Sequence, residues 1–521
     1  MSRPRQGRLV ILLNGGVGLV VIGVVASLSL SHRDVSTPGQ AELAPAGTRS
    51  LQDVRTSQAP IVKPTPVRAA AGRLAPPSGA KGLPRQLACY GWPDGSATQT
   101  FDPQSPPCVP SWDVARGNGG ATAVGITPTT IRVGVPRGQL AAYRGYAGFF
   151  GSHFQLYGRA IQVVGLDEAD LATPQGQQAV AEEAAQQQVF AVLVDPPGTL
   201  GPAAVPAQLL DVAARRHLVT VLTGASQASS TSLAALSPYA WSYAAGLDRV
   251  EQATGGLVCQ VLAGRKARHS SSQSGQARRF GLLLPDAARA GGSDVDVDAL
   301  EGALEGCHSP AQVERVDASS ADAVSQALLR MRRAGVTSVL PYLTARTISH
   351  VVMPAAEQIG FRPEWVLTGV DDSPDEADWA SAPRAQTAGL FGVTTWAPPR
   401  ASGARPAYEA AQGGLVDEAA YHALLVLASG VQLAGTGLTP ESLAAGLSGT
   451  AFPDPGAGVA PLFAASAGFD DGDHAMVDDV ALTWWQPATS RLCLVGGGTR
   501  WAFTSAPTSD PGFFDDAKGC G

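Results

Sequence analysis

Apolar and amphipathic stretches alternate along most of the chain after residue 130, in two successive series. The apolar runs are short and rich in β-branched residues, as buried strands are. In the first series they cover residues 131–135, 161–166, 189–194 and 218–222, and in the second 280–284, 313–316, 338–342 and 365–368. An extended stretch at 389–395 and two runs at 480–485 and 492–495 predict further strands.

Helical periodicity fills the spaces between these runs. Between residues 321 and 333, Val324, Ala327, Leu328 and Met331 have the i, i+3, i+4, i+7 spacing of a buried helix face. Helices are also predicted for residues 143–157, 174–188, 206–217, 249–262, 297–306, 348–359 and 418–433, and from Pro440 onward. Short buried strands that alternate with such helices form βαβ units. The pattern therefore predicts an α/β fold with mainly parallel sheets covered by helices on both faces.

The first part of the chain lacks this alternation. Arg3, Arg5 and Arg8 precede an almost uncharged run at residues 9–30, which at about 1.5 Å per residue is long enough to cross a ~30 Å hydrocarbon layer. Residues 1–31 are therefore either a retained signal anchor with its positive flank inside or a cleaved signal peptide, and the length of the run favours the anchor. Residues 32–86, rich in proline and alanine, predict a disordered linker.

Chain length and net charge indicate how many lobes the protein has and which classes of partner are excluded. With 521 residues the chain exceeds the roughly 250–300 residues at which single cores stop growing, so two lobes are expected. A net charge of −7, a pI near 5.6 and the lack of a basic stripe argue against nucleic acid as a partner. The sequence contains no HExxH, GxSxG or GxxxxGK[ST] motif, so neither an enzyme activity nor a cofactor is predicted.

The acidic turn Phe469-Asp470-Asp471-Gly472-Asp473 is a weak metal signal. It lacks the remaining oxygen ligands and the terminal glutamate of an EF-hand. No metal site is therefore predicted.

The cysteines fall into sequence-local pairs. There are 6 of them and none has zinc-ligand spacing, which favours disulfides formed in an oxidising compartment. The alternative is that they are buried free thiols. The first pair would staple residues 87–122 as an irregular cap on the first lobe. The predicted disulfides are Cys89 with Cys108, Cys259 with Cys307, and Cys493 with Cys520.

Three segments carry a resemblance to a known family. They are GITPTTIRVGV at 125–135, SPYAWSYAAG at 237–246 and GFDDGDHAMVDDVALTWW at 468–485. In their order and spacing they resemble the leucine/isoleucine/valine-binding family of ABC-transporter substrate-binding proteins, particularly the actinobacterial kind. The resemblance implies a two-lobed type 1 periplasmic-binding-protein fold. Lobe 1 would comprise residues 123–246 and 389–451, and lobe 2 residues 247–388 and 452–521.

The same resemblance implies a ligand site between the lobes, on the loops that follow the strands. Hydroxyl and backbone N–H groups of lobe 1 would hold a ligand carboxylate, while Asp371 would pair with an ammonium and Tyr342 would cover the apolar part. The alternative is that the lobe 1 groups form ordinary turns and that Asp371 and Asp372 cap a helix. The candidate ligand-binding residues are Tyr143, Gly198, Thr199, Thr223 and Ser226 in lobe 1, and Asp286, Tyr342, Thr344, Asp371 and Asp372 in lobe 2.

Two functions follow from these expectations. The first is an extracytoplasmic solute-binding protein that closes around a small polar ligand, an amino acid or related carboxylate, and delivers it to an ABC permease. The second is a membrane-anchored, receptor-like or envelope interaction module with a degenerate pocket. Two departures from the family pattern support the second: PRGQLAAYRG follows the first strand, and PDAARAGG follows the first strand of lobe 2.

Overall fold

The computed structural model describes most of the chain after residue 111 and a few shorter pieces before it. The described residues are 89–91, 97–99, 104–106, 109, 112–167, 171, 173–195, 205–223, 228–286, 297–370, 376–395, 406–411, 414, 416–448, 451–452, 467–497, 499–505 and 507–515. The predicted anchor (1–31) and linker (32–86) lie outside them. No helix within the described ranges is long and apolar enough to span a membrane.

Strands occupy nearly all the positions that the apolar runs predict. β3, for example, begins at Thr130 and ends at Pro136 where residues 131–135 were predicted. The strands are β1 (Cys89–Gly91), β2 (Ala97–Gln99), β3 (Thr130–Pro136), β4 (Ala160–Leu166), β5 (Ala191–Val194), β6 (Val219–Leu222), β7 (Ala240–Ser242), β8 (Phe280–Pro285), β9 (Gln312–Val316), β10 (Ser338–Pro341), β11 (Glu364–Thr368), β12 (Leu390–Thr394), β13 (Ala451–Phe452), β14 (Ala467–Gly468), β15 (Asp479–Gln486), β16 (Arg491–Leu494) and β17 (Arg500–Ala502).

The predicted helices are also confirmed, and the one expected at 348–359 consists of a π-helical turn followed by an α-helix. Single π turns follow Leu257 (Val258–Leu262) and Thr347 (Ile348–Val352). Short 3-10 helices cover Val114–Arg116, Arg137–Gln139 and Val495–Gly497. The α-helices are α1 (Leu140–His153), α2 (Pro174–Gln186), α3 (Ala207–Arg215), α4 (Ser230–Ala235), α5 (Leu247–Leu257), α6 (Asp298–Gly306), α7 (Ala321–Arg333), α8 (Ala345–Thr347), α9 (Met353–Gln358), α10 (Glu376–Ser381), α11 (Arg384–Thr387), α12 (Pro406–Ala411), α13 (Glu418–Ala434) and α14 (Pro440–Ser448).

Lobe 1 is built on a 5-stranded parallel sheet with the order β4-β3-β5-β6-β7. Alternate residues of β5 face opposite layers: Ala191 and Leu193 pack in the core with α1 and α13, whereas Val192 and Val194 pack with α2 and α3. Because both faces are covered, the strand is apolar throughout. Parallel strands end at the same edge of their sheet, so the residues that follow β3, β5 and β6 lie together at the carboxyl edge.

Lobe 2 repeats this arrangement and extends it. Its 8-stranded sheet has the order β16-β15-β12-β11-β10-β8-β9, with β17 also paired to β15. β8 to β12 are parallel, and β15 pairs antiparallel with β12 and with β16. The predicted final hairpin is therefore present at the edge of this sheet.

Strand pairing divides the chain differently from the sequence prediction at two places. The prediction assigned residues 389–451 to lobe 1, but β12 lies between β11 and β15 of the second sheet, where Phe391 and Leu390 pack on its opposite faces. Residues 452–521 were assigned to lobe 2, but Met476 donates its N–H to Ser242 O of β7 (3.0 Å) and packs in the lobe 1 core. The chain returns to lobe 1 only after β12, and it leaves again just before β15.

One predicted disulfide is fully described. Cys259 follows α5 and is bonded to Cys307, just after α6. Cys493 is also disulfide-bonded, and its predicted partner Cys520 lies outside the described residues. Cys108 is outside them as well, so the first predicted pair stays a prediction. The predicted cap shows a short antiparallel ladder of β1 and β2.

Candidate ligand-binding cleft

A cavity of about 820 Å³ opens between the two lobes. Lobe 1 lines it with α3, α4 and the residues just before them, and lobe 2 with the first turns of α5 and α6. Each of α3, α4 and α6 follows the carboxyl end of a strand, so the cavity lies at the carboxyl edge of both sheets. Its lining residues are Val205, Ala207, Leu210, Asp211, Ala228, Ser229, Thr231, Ser232, Leu233, Ala235, Leu236, Leu247, Asp248, Glu251, Asp298 and Ala299.

The predicted lobe 1 residues that the structure describes are both buried at this edge. Tyr143 of α1 is 0% exposed, and its Oη makes no hydrogen bond with any described residue. Thr223 follows β6 and donates its N–H to Val194 O (3.0 Å), which links two neighbouring loops of the edge. Gly198, Thr199 and Ser226 lie outside the described residues.

The predicted lobe 2 residues have different environments. Tyr342, directly after β10, is fully buried, and its Oη also lacks a hydrogen bond to the part of the chain that the structure describes. Thr344 caps α8, because its Oγ1 accepts a hydrogen bond from Thr347 N (3.1 Å). Asp286 is half-buried after β8 and donates its N–H to Val316 O (2.8 Å). Asp371 and Asp372 lie outside the described residues.

Comparison with solved structures shows which fold this is. No protein-family model and no curated protein matches the sequence. A periplasmic binding protein from Burkholderia mallei superposes with a TM-score of 0.53 at 16% identity, over 74% of this chain and 97% of that one. A branched-chain amino acid ABC transporter protein from Thermus thermophilus with bound valine gives 0.52 at 16%, over 72% and 97%. An R. palustris ABC-transporter solute-binding protein in complex with 4-hydroxybenzoate gives 0.51 at 14%, over 73% and 98%.

The chain has the type 1 periplasmic-binding-protein fold. The match covers nearly the whole of each solved structure, so both lobes of this fold are present. At such low identity the likeness concerns the fold, and the residues of the site have to be judged from the structure of this chain.

In this type 1 periplasmic-binding-protein fold, the first crossing between the lobes is tied at its end by hydrogen bonds. Leu247 N donates to Ala228 O (3.0 Å). The Asp248 carboxylate of α5 accepts from Ser230 N (2.8 Å) and from Thr231 Oγ1 (3.2 Å). A side chain at Gly246 would meet Ser230 Oγ at 2.0 Å, so this close approach needs glycine. The crossing thereby fixes the distance between α4 of lobe 1 and α5 of lobe 2 at the wall of the cavity.

Sequence reasoning missed three acidic residues, of which only Glu251 is among the described residues that line the cavity. Glu251 of α5 lines the cavity while only 3% exposed, and after burial its charge is the second cause that raises the pKa of Tyr342 well above the usual value. Asp195 directly follows β5, and Asp417 is the N-cap of α13, where its Oδ1 accepts from Ala420 N (3.0 Å). Asp195 had a usable signal, since it is the first polar residue at the carboxyl end of a buried strand.

Burial makes Asp195 of lobe 1 unusual. Burial, and after it the neighbouring Asp417 carboxylate, raise the pKa of Asp195 to about 6. Burial, then Asp195, then Asp417 raise the pKa of the Tyr143 phenol well above its usual value. Tyr143, Asp195 and Asp417 therefore form one electrostatically coupled group. Among the described residues, no cluster of His, Cys, Asp or Glu is arranged to hold a metal ion.

Proposed function

We propose that this protein is an extracytoplasmic solute-binding protein that captures a small polar ligand between its lobes and presents the closed form to an ABC-type importer. The observation that carries this proposal is the cavity at the carboxyl edge of both sheets, in the fold of the solved ABC-transporter binding proteins. Its volume of about 820 Å³ falls within the roughly 300–1,000 Å³ of small-molecule sites. No catalytic role is proposed.

Two buried phenols support a ligand role. Tyr143 in lobe 1 and Tyr342 in lobe 2 both follow the carboxyl end of a strand. Neither is among the described residues that line the cavity, and neither Oη has a hydrogen-bond partner among the described residues. Buried hydroxyl groups are nearly always paired in native proteins, because leaving one unpaired costs about 1–3 kcal/mol. A polar ligand would form hydrogen bonds with both hydroxyl groups, one from each lobe. Water would take its place in the unliganded protein.

The remaining parts of the site stay proposals. Gly198, Thr199, Thr223 and Ser226 would hold a carboxylate of the ligand, and Asp371 or Asp372 would pair with its ammonium. Thr344 would contribute through its backbone, since its hydroxyl caps α8. Residues 1–31 would hold the protein at the outer face of the membrane, or direct its secretion if they are cleaved.

A thermal-shift panel tests ligand capture. A true ligand at a hundredfold excess over its Kd should raise the free energy of unfolding by about 2.7 kcal/mol. The panel should contain amino acids, amines and hydroxybenzoates, applied to the purified full-length chain. An unresponsive protein that is also empty by native mass spectrometry would contradict solute capture and favour the receptor-like module.

Tyr342→Phe tests the site itself. Loss of one hydrogen bond should weaken ligand binding about two- to tenfold, while the unliganded protein should keep its stability because Oη has no partner to lose. Tyr157→Phe is a matched control, since Tyr157 Oη donates to Gln432 O (2.7 Å) away from the cleft. That control should lose stability and keep its affinity. Unchanged ligand affinity in Tyr342→Phe would remove this residue from the site.

A further inference from the structure

The carboxyl edge of lobe 1 carries two acids from different parts of the chain beside one tyrosine. Asp195 directly follows β5. Asp417 begins α13, after the chain has returned from lobe 2. Tyr143 on α1 is close enough to both that each carboxylate raises the pKa of its phenol. Since Ala191 and Leu193 of β5 face α1 and α13, the alternation along the strand places Asp195 on the same face.

Tyr143 is distinguished by what its hydroxyl lacks. Tyr146, one turn further along α1, accepts a hydrogen bond from Asp417 N (3.1 Å) and donates one to Ala407 O (3.2 Å). Tyr143 is equally buried at 0% exposure, yet no described residue donates a hydrogen bond to its Oη or accepts one from it. The same helix therefore presents one hydrogen-bonded phenol and one phenol that is close enough to both carboxylates to be affected by their charge but makes no hydrogen bond with a described residue.

Among the described residues, no cation shifts the pKa of Asp195. The pKa of Asp195 is raised by its own burial and, after that, by the charge of Asp417, and no described basic residue lowers it. Elsewhere the protein compensates a buried carboxylate: Glu364 is 0% exposed and bonded to Arg278 at 2.8 Å. Buried charges are normally paired because desolvation is costly. Asp195, which is half-buried, thus has the environment of one member of an ion pair, and the described chain supplies no positive partner for it.

We propose that Asp195, Asp417 and Tyr143 form a subsite for a cationic group of the ligand, an ammonium or a guanidinium, in addition to the ammonium that Asp371 or Asp372 would pair with. The phenol oxygen and the carboxylates accept the donated N–H hydrogen bonds. This inference rests on the proposed function, and it narrows the ligand to amine-bearing solutes.

The interlobe cavity also agrees with a cationic ligand, although its described lining does not include the three subsite residues. Its described lining includes the acids Asp211, Asp248, Glu251 and Asp298 and contains no Lys, Arg or His. A carboxylate without an amine would enter a region of like charge there, which costs affinity. The proposal therefore separates this chain from the hydroxybenzoate binders that share its fold.

The test compares cationic and anionic probes on the full-length protein. Arginine, lysine, agmatine and putrescine are measured by titration calorimetry at pH 7 beside 4-hydroxybenzoate. At least one amine should bind, and 4-hydroxybenzoate should not. Binding of 4-hydroxybenzoate with no response to any amine would overturn the cationic subsite and leave solute capture intact. Absence of binding by every probe and by the wider panel would count against solute capture itself.

Variants locate the subsite. Asp195→Asn should weaken binding of the amine at least tenfold, and Tyr143→Phe about two- to tenfold. Asp417→Asn removes the charge but keeps a good helix N-cap, so it remains informative if Asp195→Asn folds poorly. Asp322→Asn, an exposed acid on α7, is the control and should bind normally. Normal amine affinity in both Asp195→Asn and Asp417→Asn would overturn the assignment.

The pH dependence of ligand affinity distinguishes a binding role of Asp195 from a purely structural one. Asp195 faces Tyr143 of α1 and Asp417 of α13, and of these groups Asp195 has the pKa near 6. A cation binds the ionised carboxylate, so affinity should rise with pH up to about 7 and fall as much as tenfold per pH unit below about 6. Asp195→Asn should flatten this profile. A wild-type profile that is already flat between pH 5 and 7 would contradict the role of Asp195.

Discussion

Arg278→Met is expected to lower the free energy of unfolding by about 3–5 kcal/mol, because it leaves a buried carboxylate without its cation. Glu364 at the start of β11 is 0% exposed, and its partner Arg278 has a side chain only 5% exposed. The guanidinium donates to both carboxylate oxygens, at 2.8 Å from Nε and 3.0 Å from Nη2. The loss should appear in equilibrium urea denaturation as a lower midpoint with an unchanged slope.

The surroundings of Glu364 explain the size of this effect. Ser338 Oγ donates to it at 2.6 Å, and the N–H groups of Arg268 and His269 donate at 2.9 and 3.0 Å. Burial alone would raise the pKa of Glu364, but Arg278 and these donors hold it below its usual value. Because a depressed acid pKa stabilises the fold above the unfolded pKa, this contribution is present at neutral pH and is lost as the pH falls through the acid range.

A surface ion pair serves as the control for Arg278. Arg215 and Asp211 lie 2.7 Å apart on α3, with side chains 61% and 56% exposed. Arg215→Met should therefore cost only about 0.3–0.5 kcal/mol, the usual value for an i, i+4 pair. Equal losses in the two arginine variants would show that the Glu364 site is solvated and the burial argument wrong.

Loss of the disulfide between Cys259 and Cys307 should lower the free energy of unfolding about as much as Arg278→Met does. The bond closes a separation of 48 residues, and the chain-entropy model gives about 4 kcal/mol for a loop of that size. It joins the π turn after α5 to the end of α6, and both helices contribute first-turn residues to the cleft. Cys259→Ser should therefore lower the stability measured by denaturation under non-reducing conditions.

Non-additive stability losses in the single and double cysteine variants distinguish a disulfide bond from two independent side-chain effects. Cys259→Ser, Cys307→Ser and the double variant should lose nearly equal stability, because each removes the same bond. Losses that sum in the double variant would indicate two independent thiols. Thiol labelling of the denatured, unreduced protein should find neither Cys259 nor Cys307 reactive.

The site was only partly accessible from the sequence. Tyr143 and Tyr342 were predicted because they stand at the carboxyl ends of strands, and the structure places both phenols, buried and unpaired, at that edge. Thr344 was predicted by the same rule, but its hydroxyl caps α8. A residue's position just after a strand therefore predicts that it lies at the carboxyl edge of the sheet. Its hydrogen-bond partner there depends on where the neighbouring helices begin, which local sequence patterns do not specify.

The sequence by itself determined the α/β character, the strands and helices of both lobes and the pairing of Cys259 with Cys307, because periodicity and spacing are local properties. Only the tertiary structure decided that β12 joins the second sheet and that residues 474–476 join the first. A buried apolar strand is compatible with either sheet, so its own residues do not choose. The proximity of Tyr143, Asp195 and Asp417 was likewise decided only by the tertiary structure. Its members come from α1, the end of β5 and the start of α13, and they meet only because the chain re-enters lobe 1 after crossing to lobe 2.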